Sequence, residues 1–133
     1  MGFTFKKEER LCSRQLIDRL YNEGHRLMAF PYSVQWMKVD GPCQVMIVAP
    51  KRKFHHAVDR NRVRRLTREC YRLRKHILYQ FLEEHGISIV FSMIYIHNEI
   101  MPYEQLGHKM DKLLAALEKE ITTTLRKSNL YHG

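Results

Sequence analysis

The stretch that decides the fold is Lys51-Arg52-Lys53-Phe54-His55-His56-Ala57-Val58-Asp59-Arg60-Asn61-Arg62-Val63-Arg64-Arg65-Leu66-Thr67-Arg68-Glu69-Cys70-Tyr71-Arg72-Leu73-Arg74-Lys75. It holds eleven basic side chains and two acidic ones, a net charge of +9. The other 108 residues carry twelve of each sign, so this one segment accounts for the whole +9 of the 133-residue chain. Val63, Leu66, Cys70, Leu73 and Ile77 recur at spacings of three and four, which predicts a helix over 57–78 with one apolar side. At about 100° per residue, Asn61, Arg64, Arg65, Arg68, Arg72 and Lys75 fall together on the other side. Arg62 and Arg74 flank the stripe, and Arg60 lies between stripe and basic centre. Like charges at Arg60/Arg64, Arg64/Arg68 and Arg68/Arg72 each cost an isolated helix a few tenths of a kcal/mol. A cationic ridge kept at that cost implies a polyanion that neutralises it.

Outward from this helix, the chain reads as helices and strands in alternation. Ser13 is a candidate N-cap for a helix over 13–23, carrying Leu16, Ile17, Leu20 and Tyr21 at helical spacing and closed by Gly24. Residues 30–38 alternate, with Tyr32, Val34 and Trp36 on one side and Ser33 and Gln35 on the other, as a strand does. After the turn Asp40-Gly41-Pro42, residues 44–49 form a valine-rich second strand ended by Pro50. Lys51 to His56 is an irregular basic connection. Past the basic helix, Gly86 opens a new segment, and 87–96 reads as a buried strand. Pro102 then opens a last helix striped by Leu106, Met110, Leu113, Leu114, Leu117, Ile121 and Leu125. The expectation is a single α+β domain over 1–133, with helices packed on a small sheet.

Several function classes find no support. Hydrophobic residues make up 44% and charged residues 28%, which fits a globular domain and not a disordered one. Cys12, Cys43 and Cys70 form neither a disulfide framework nor a zinc motif and are expected as free, buried thiols. The polar start lacks an apolar signal core, and the longest apolar stretch, about ten residues at 87–96, is half the roughly twenty a membrane span needs. A cytoplasmic protein with no membrane partner is expected. There is no glycine-rich phosphate loop and no nucleophile motif, and the adjacent His55-His56 lacks a carboxylate at ligand spacing. The residues therefore point to nucleic-acid binding without catalytic or metal-holding side chains. RNA is favoured over DNA, because no helix-turn-helix partner precedes the basic helix and Tyr21, Tyr32 and Trp36 could stack on unpaired bases. A ribosome-associated module and a DNA-binding regulator are the competing readings.

From Pro50 through Glu69 the sequence resembles the signature of the bacterial ribonuclease P protein component. The core of the likeness is Arg60-Asn61-Arg62, followed in register by Arg64, Arg65, Leu66 and Arg68, and it extends over about 8–127. The resemblance implies an αβββαβα sandwich, ribosomal protein S5 domain 2-like, with the arginine-rich helix in a left-handed βαβ crossover. It also implies a subunit of an enzyme that removes the 5′ leader of precursor tRNA, in which the RNA subunit performs the hydrolysis with Mg²⁺. The implied partners are that catalytic RNA and precursor tRNA, with one protein monomer per RNA. Lys51, Arg52, Lys53, Arg60, Asn61, Arg62, Arg64, Arg65, Arg68 and Arg72 would bind RNA. A cleft between the first helix and the sheet would hold the leader, through Tyr21 and one of Tyr32, Gln35 or Trp36.

Overall fold

A computed structural model describes residues 5–132. A short 3-10 turn, Lys7–Glu9, leads into α1 (Arg14–Glu23), β1 (His25–Ala29), β2 (Tyr32–Val39), β3 (Gln44–Val48), α2 (Ala57–His85), β4 (Ser88–Tyr95) and α3 (Tyr103–His132). The order is αβββαβα. The strands form one sheet in the order β1-β2-β4-β3. β3 and β4 are parallel neighbours joined through α2, and the other pairs are antiparallel.

Strand alternation gives the sheet two different faces. On one, Val34, Trp36, Val45, Phe91 and Met93 pack against Val63, Cys70, Tyr71 and Leu78 of α2 and Leu106, Met110, Leu113 and Leu117 of α3. On the other, Met37 and Val90 pack against Leu20 of α1 and Leu11, with Leu16 and Ile17 closing over them. A hydrogen bond of 2.7 Å between the Tyr32 and Thr67 hydroxyls crosses the larger core and ties β2 to α2. Burial pushes the Tyr32 hydroxyl well above its ordinary pKa, so it stays protonated.

The structure corrects the sequence reading at several points. β1 was not expected from residue pattern. It is an edge strand with only Leu27 and Ala29 half-buried, and its outward Met28 breaks the polar alternation a strand usually shows. α2 does not stop at 78. It runs to His85 and ends where Gly86 adopts φ +61°, with the Ile87 N–H donating to the Leu82 carbonyl. Gly24 closes α1 for another reason: its backbone is extended, and a Cβ there would sit 2.3 Å from the Leu20 carbonyl oxygen. Cys12 is exposed and Cys43 half-buried; only Cys70 is the buried thiol expected.

The buried side of α2 is also rotated from the predicted stripe, towards Thr67, Tyr71 and Leu78, leaving Ile77 47% exposed. That rotation brings Lys75 inside. Its ammonium pairs with the Glu9 carboxylate, which also accepts from the Tyr79 hydroxyl at 2.5 Å and from the Lys6 backbone N–H at 2.7 Å. Lys75 is therefore a latch for the N-terminal segment and not part of the ridge. Burial alone would raise the Glu9 pKa, but the bonds from Lys75, Tyr79 and Lys6 outweigh it and hold the carboxyl below its ordinary range. The stability this confers is complete above the ordinary glutamate range and is lost as pH falls through the depressed value. Glu9→Ala should lower unfolding free energy by about 3 kcal/mol at neutral pH in urea denaturation. It should also flatten the decline in stability below pH 5; an unaltered acid limb would count against the latch.

Candidate nucleic-acid interface

The core side of α2 fixes which of its arginines look outward. Asn61, Arg62 and Arg65 are exposed, as are Lys51 and Arg52 in the preceding loop. Asn61, Arg65, Arg68 and Arg72 follow one another at helical spacing along roughly three turns, about 17 Å of axis. The Asn61 Oδ1 accepts from Arg64 Nη2, which orients that guanidinium along the helix. Arg68 is half-buried, and its Nε is shielded from solvent with no acceptor among the described residues.

Other members of the predicted set have structural work. Arg60 Nη1 donates to the Phe54 and His55 carbonyls at 2.9 and 3.0 Å, fastening the basic loop to the start of α2. Lys53 Nζ donates to Asn98 Oδ1 at 3.1 Å, tying the same loop to the segment after β4. Arg72 is held bidentately by Glu69, through Nε at 3.0 Å and Nη2 at 2.5 Å. Arg74 pairs with Asp111 of α3 at 2.6 Å. The net +9 of the segment is thus unevenly available: Lys51, Arg52, Arg62, Arg64, Arg65 and Arg68 have no carboxylate partner among the described residues.

The predicted stacking platform divides. Tyr21 on α1 is 40% exposed and shares a helix side with Ile17. Tyr32 and Trp36 are on the opposite face of the sheet from α1, inside the larger core. The Tyr32 ring meets Tyr95 edge-on at 5.5 Å, and Trp36 is covered by the His25 ring at 4.5 Å. Neither offers a free ring face to a base. The period of two in β2 puts Gln35 on the α1 side instead. There it stands in one cross-strand row, Arg26–Gln35–Ser92–Met46. The Gln35 side chain makes no hydrogen bond among the described residues, and neither does the buried Ser92 hydroxyl. Beside it runs the row Met28–Ser33–Ile94–Val48. α1 leaves part of this face open: Met28 is exposed and Ser33, Ile94, Met46 and Val48 are half-buried, while Gln35 and Ser92 are buried.

A family profile for ribonuclease P matches residues 5–118. The chain belongs to the ribonuclease P protein family. The ribonuclease P protein component of Porphyromonas gingivalis is 31% identical over 131 residues, covering 95% of each chain. That of Chlorobium phaeobacteroides is 29% identical, over 84% of this chain and 86% of its own. Among solved structures, the Staphylococcus aureus RNase P protein superposes with a TM-score of 0.67 at 19% identity, covering 84% of this chain and 96% of the other. The Thermotoga maritima protein gives 0.63 at 22% identity, covering 80% and 94%. These likenesses establish the same fold.

Among the described residues, no three His, Cys, Asp or Glu side chains are placed to hold a metal ion, and no helix is long and apolar enough to cross a membrane. The division of the aromatics has a direct test. Trp36→Ala should cost about 3–5 kcal/mol of stability, since it empties a packed site. Tyr21→Ala should change it by less than about 0.5 kcal/mol. Equal urea midpoints for the two variants would contradict the placement of Trp36.

Proposed function

We propose that this chain is the protein subunit of a cytoplasmic ribonuclease P, one copy bound to one catalytic RNA, assisting removal of the 5′ leader from precursor tRNA. The supporting observation is the row of outward guanidiniums on α2, inside the span the family profile matches and held rigid by the buried side of the same helix. Arginine suits this task because its planar fork makes paired contacts to phosphate oxygens. Arg62, Arg64, Arg65 and Arg68, with Lys51 and Arg52, neutralise phosphates of the catalytic RNA. Arg60 and Lys53 act one step back by holding the loop that carries Lys51 and Arg52.

The part of the sheet face left open beside α1 takes the single-stranded leader. Tyr21 offers a ring for stacking, and the buried Gln35 amide, which makes no hydrogen bond among the described residues, lies under that face with donor and acceptor to spare. Tyr32 and Trp36 support the face from beneath by fixing the sheet. Holding the leader and the RNA subunit on one rigid body brings two polyanions together, and the ridge lowers their mutual repulsion.

The reaction is assigned to the RNA subunit with Mg²⁺. Among the described residues no three carboxylate, His or Cys groups come together to hold Mg²⁺, and three of the carboxylates near the ridge are already paired. Glu69 is taken by Arg72, Glu9 by Lys75 and Tyr79, and Asp111 by Arg74. Mg²⁺ favours several free oxygen ligands.

Reconstitution with the ribonuclease P RNA of the same genome tests the reading. At low Mg²⁺ the protein should raise the rate of leader removal and yield the mature 5′ end. Tyr21→Ala should weaken binding of leader-bearing precursor by about tenfold while sparing mature tRNA. Absence of stimulation by wild-type protein would favour an RNA-binding module outside tRNA processing.

A further inference from the structure

Arg10 lies outside the basic segment, and the fold carries it there. The N-terminal segment runs along one edge of α2 and is pinned at three points. Glu9 pairs with Lys75, the Phe5 ring meets Tyr71 edge-on at 6.0 Å, and the Leu11 N–H donates to the Val45 carbonyl at 3.0 Å. Arg10 itself bridges to Val45 in a strand-like pairing, and its guanidinium folds back over the Phe5 ring at 5.7 Å. Tyr71 is one turn beyond Arg68 on α2, so this fold-back brings Arg10 to the same stretch of the helix, near enough for its charge to act on Arg68. Arg64 lies one turn before Arg68 on the same helix. Three guanidiniums from two separate segments thus gather at one edge. None has a carboxylate partner among the described residues. The nearest acid in sequence, Glu9, is already spent on Lys75 and Tyr79.

The cluster is electrostatically uncompensated. Desolvation, and then the charges of Arg10 and Arg64, lower the Arg68 pKa from its usual value. The Arg68 Nε has also left water without gaining an acceptor among the described residues. A buried N–H with no acceptor keeps the full penalty of its lost hydration. An arriving anion with several acceptor oxygens relieves both costs at once, and a phosphate diester bridging two segments does so without moving either.

We infer that Arg10, Arg64 and Arg68 form a phosphate-binding site, assembled when the N-terminal segment docks on α2, that grips one backbone phosphodiester of RNA. The site rests on the RNA-binding role proposed above and adds to it a contact from outside the arginine-rich motif. The Glu9–Lys75 latch becomes a positioning device: it holds Arg10 at the end of the ridge. The phosphodiester could belong to the catalytic RNA or to precursor tRNA, since both present the same chemistry.

The test is the salt dependence of binding, measured separately with ribonuclease P RNA and with precursor tRNA. Full-length wild type, Arg10→Gln, Arg68→Gln, the double variant and Arg65→Gln are compared. Each lost phosphate contact reduces the slope of log affinity against log salt by roughly 0.7–0.9. Arg10→Gln should reduce the slope by about that amount with one of the two RNAs, which identifies the source of the phosphate. The double variant should lose less than the sum of the singles, because both act on one phosphate. Arg10→Lys should recover the slope but only part of the affinity, and an unchanged urea midpoint for Arg10→Gln shows that the fold is kept. If Arg65→Gln lowers the slope and Arg10→Gln does not, the inference is overturned and the RNA-binding role stands. Strictly additive losses would likewise remove the shared site. If wild type binds neither RNA, both fail together.

Discussion

Everything functional in this molecule depends on the burial of one side of α2 against the sheet. Val63, Thr67, Cys70, Tyr71, Leu78 and Leu82 are inside, and the Tyr32–Thr67 hydrogen bond fixes the rotation of the helix about its axis. A helix turned by one residue would send Arg64 or Arg68 into the core. The charge on the outer side is repulsive along its own length, so tertiary packing and not helix propensity holds it straight. The result is a rigid row of guanidiniums whose spacing is set by the apolar residues on the buried side.

Charge counting overstates what that row offers. Of the segment's basic residues, Arg72 and Arg74 are paired with carboxylates, Arg60 and Lys53 hold a loop, and Lys75 is buried on Glu9. Those bonds are what place the remaining cations. Arg10 shows the reverse case, a residue outside the segment that packing brings to it.

Much of this was readable from the residues. The helical spacing within 57–78, the valine-rich 44–49 and the apolar 87–96 each describe an element that sees one or two apolar neighbours. Periodicity reports that directly. β1 was hidden because an edge strand needs little burial, so His25 to Ala29 carries little alternation. The inward turn of Lys75 and the far end of α2 are not legible in the residue pattern, because the apolar spacing through Leu66, Leu73 and Ile77 is off the centre of the buried side. The contact with α3 shares the burial between two directions and rotates its centre. The alternation in β2 separated Gln35 from Tyr32 and Trp36. Which side faced α1 could not be read locally, since that depends on where a helix a dozen residues earlier comes to rest. Aromatic chemistry suggested Tyr32 and Trp36; the fold uses them as core.

The most direct test is crosslinking in living cells, with the attached peptides and RNAs both identified. Peptides spanning 60–72, joined to ribonuclease P RNA, are the expected product. Recovery of that RNA on the outer side of α3 alone, or of other transcripts in its place on α2, would contradict a cationic ridge that docks on the catalytic RNA.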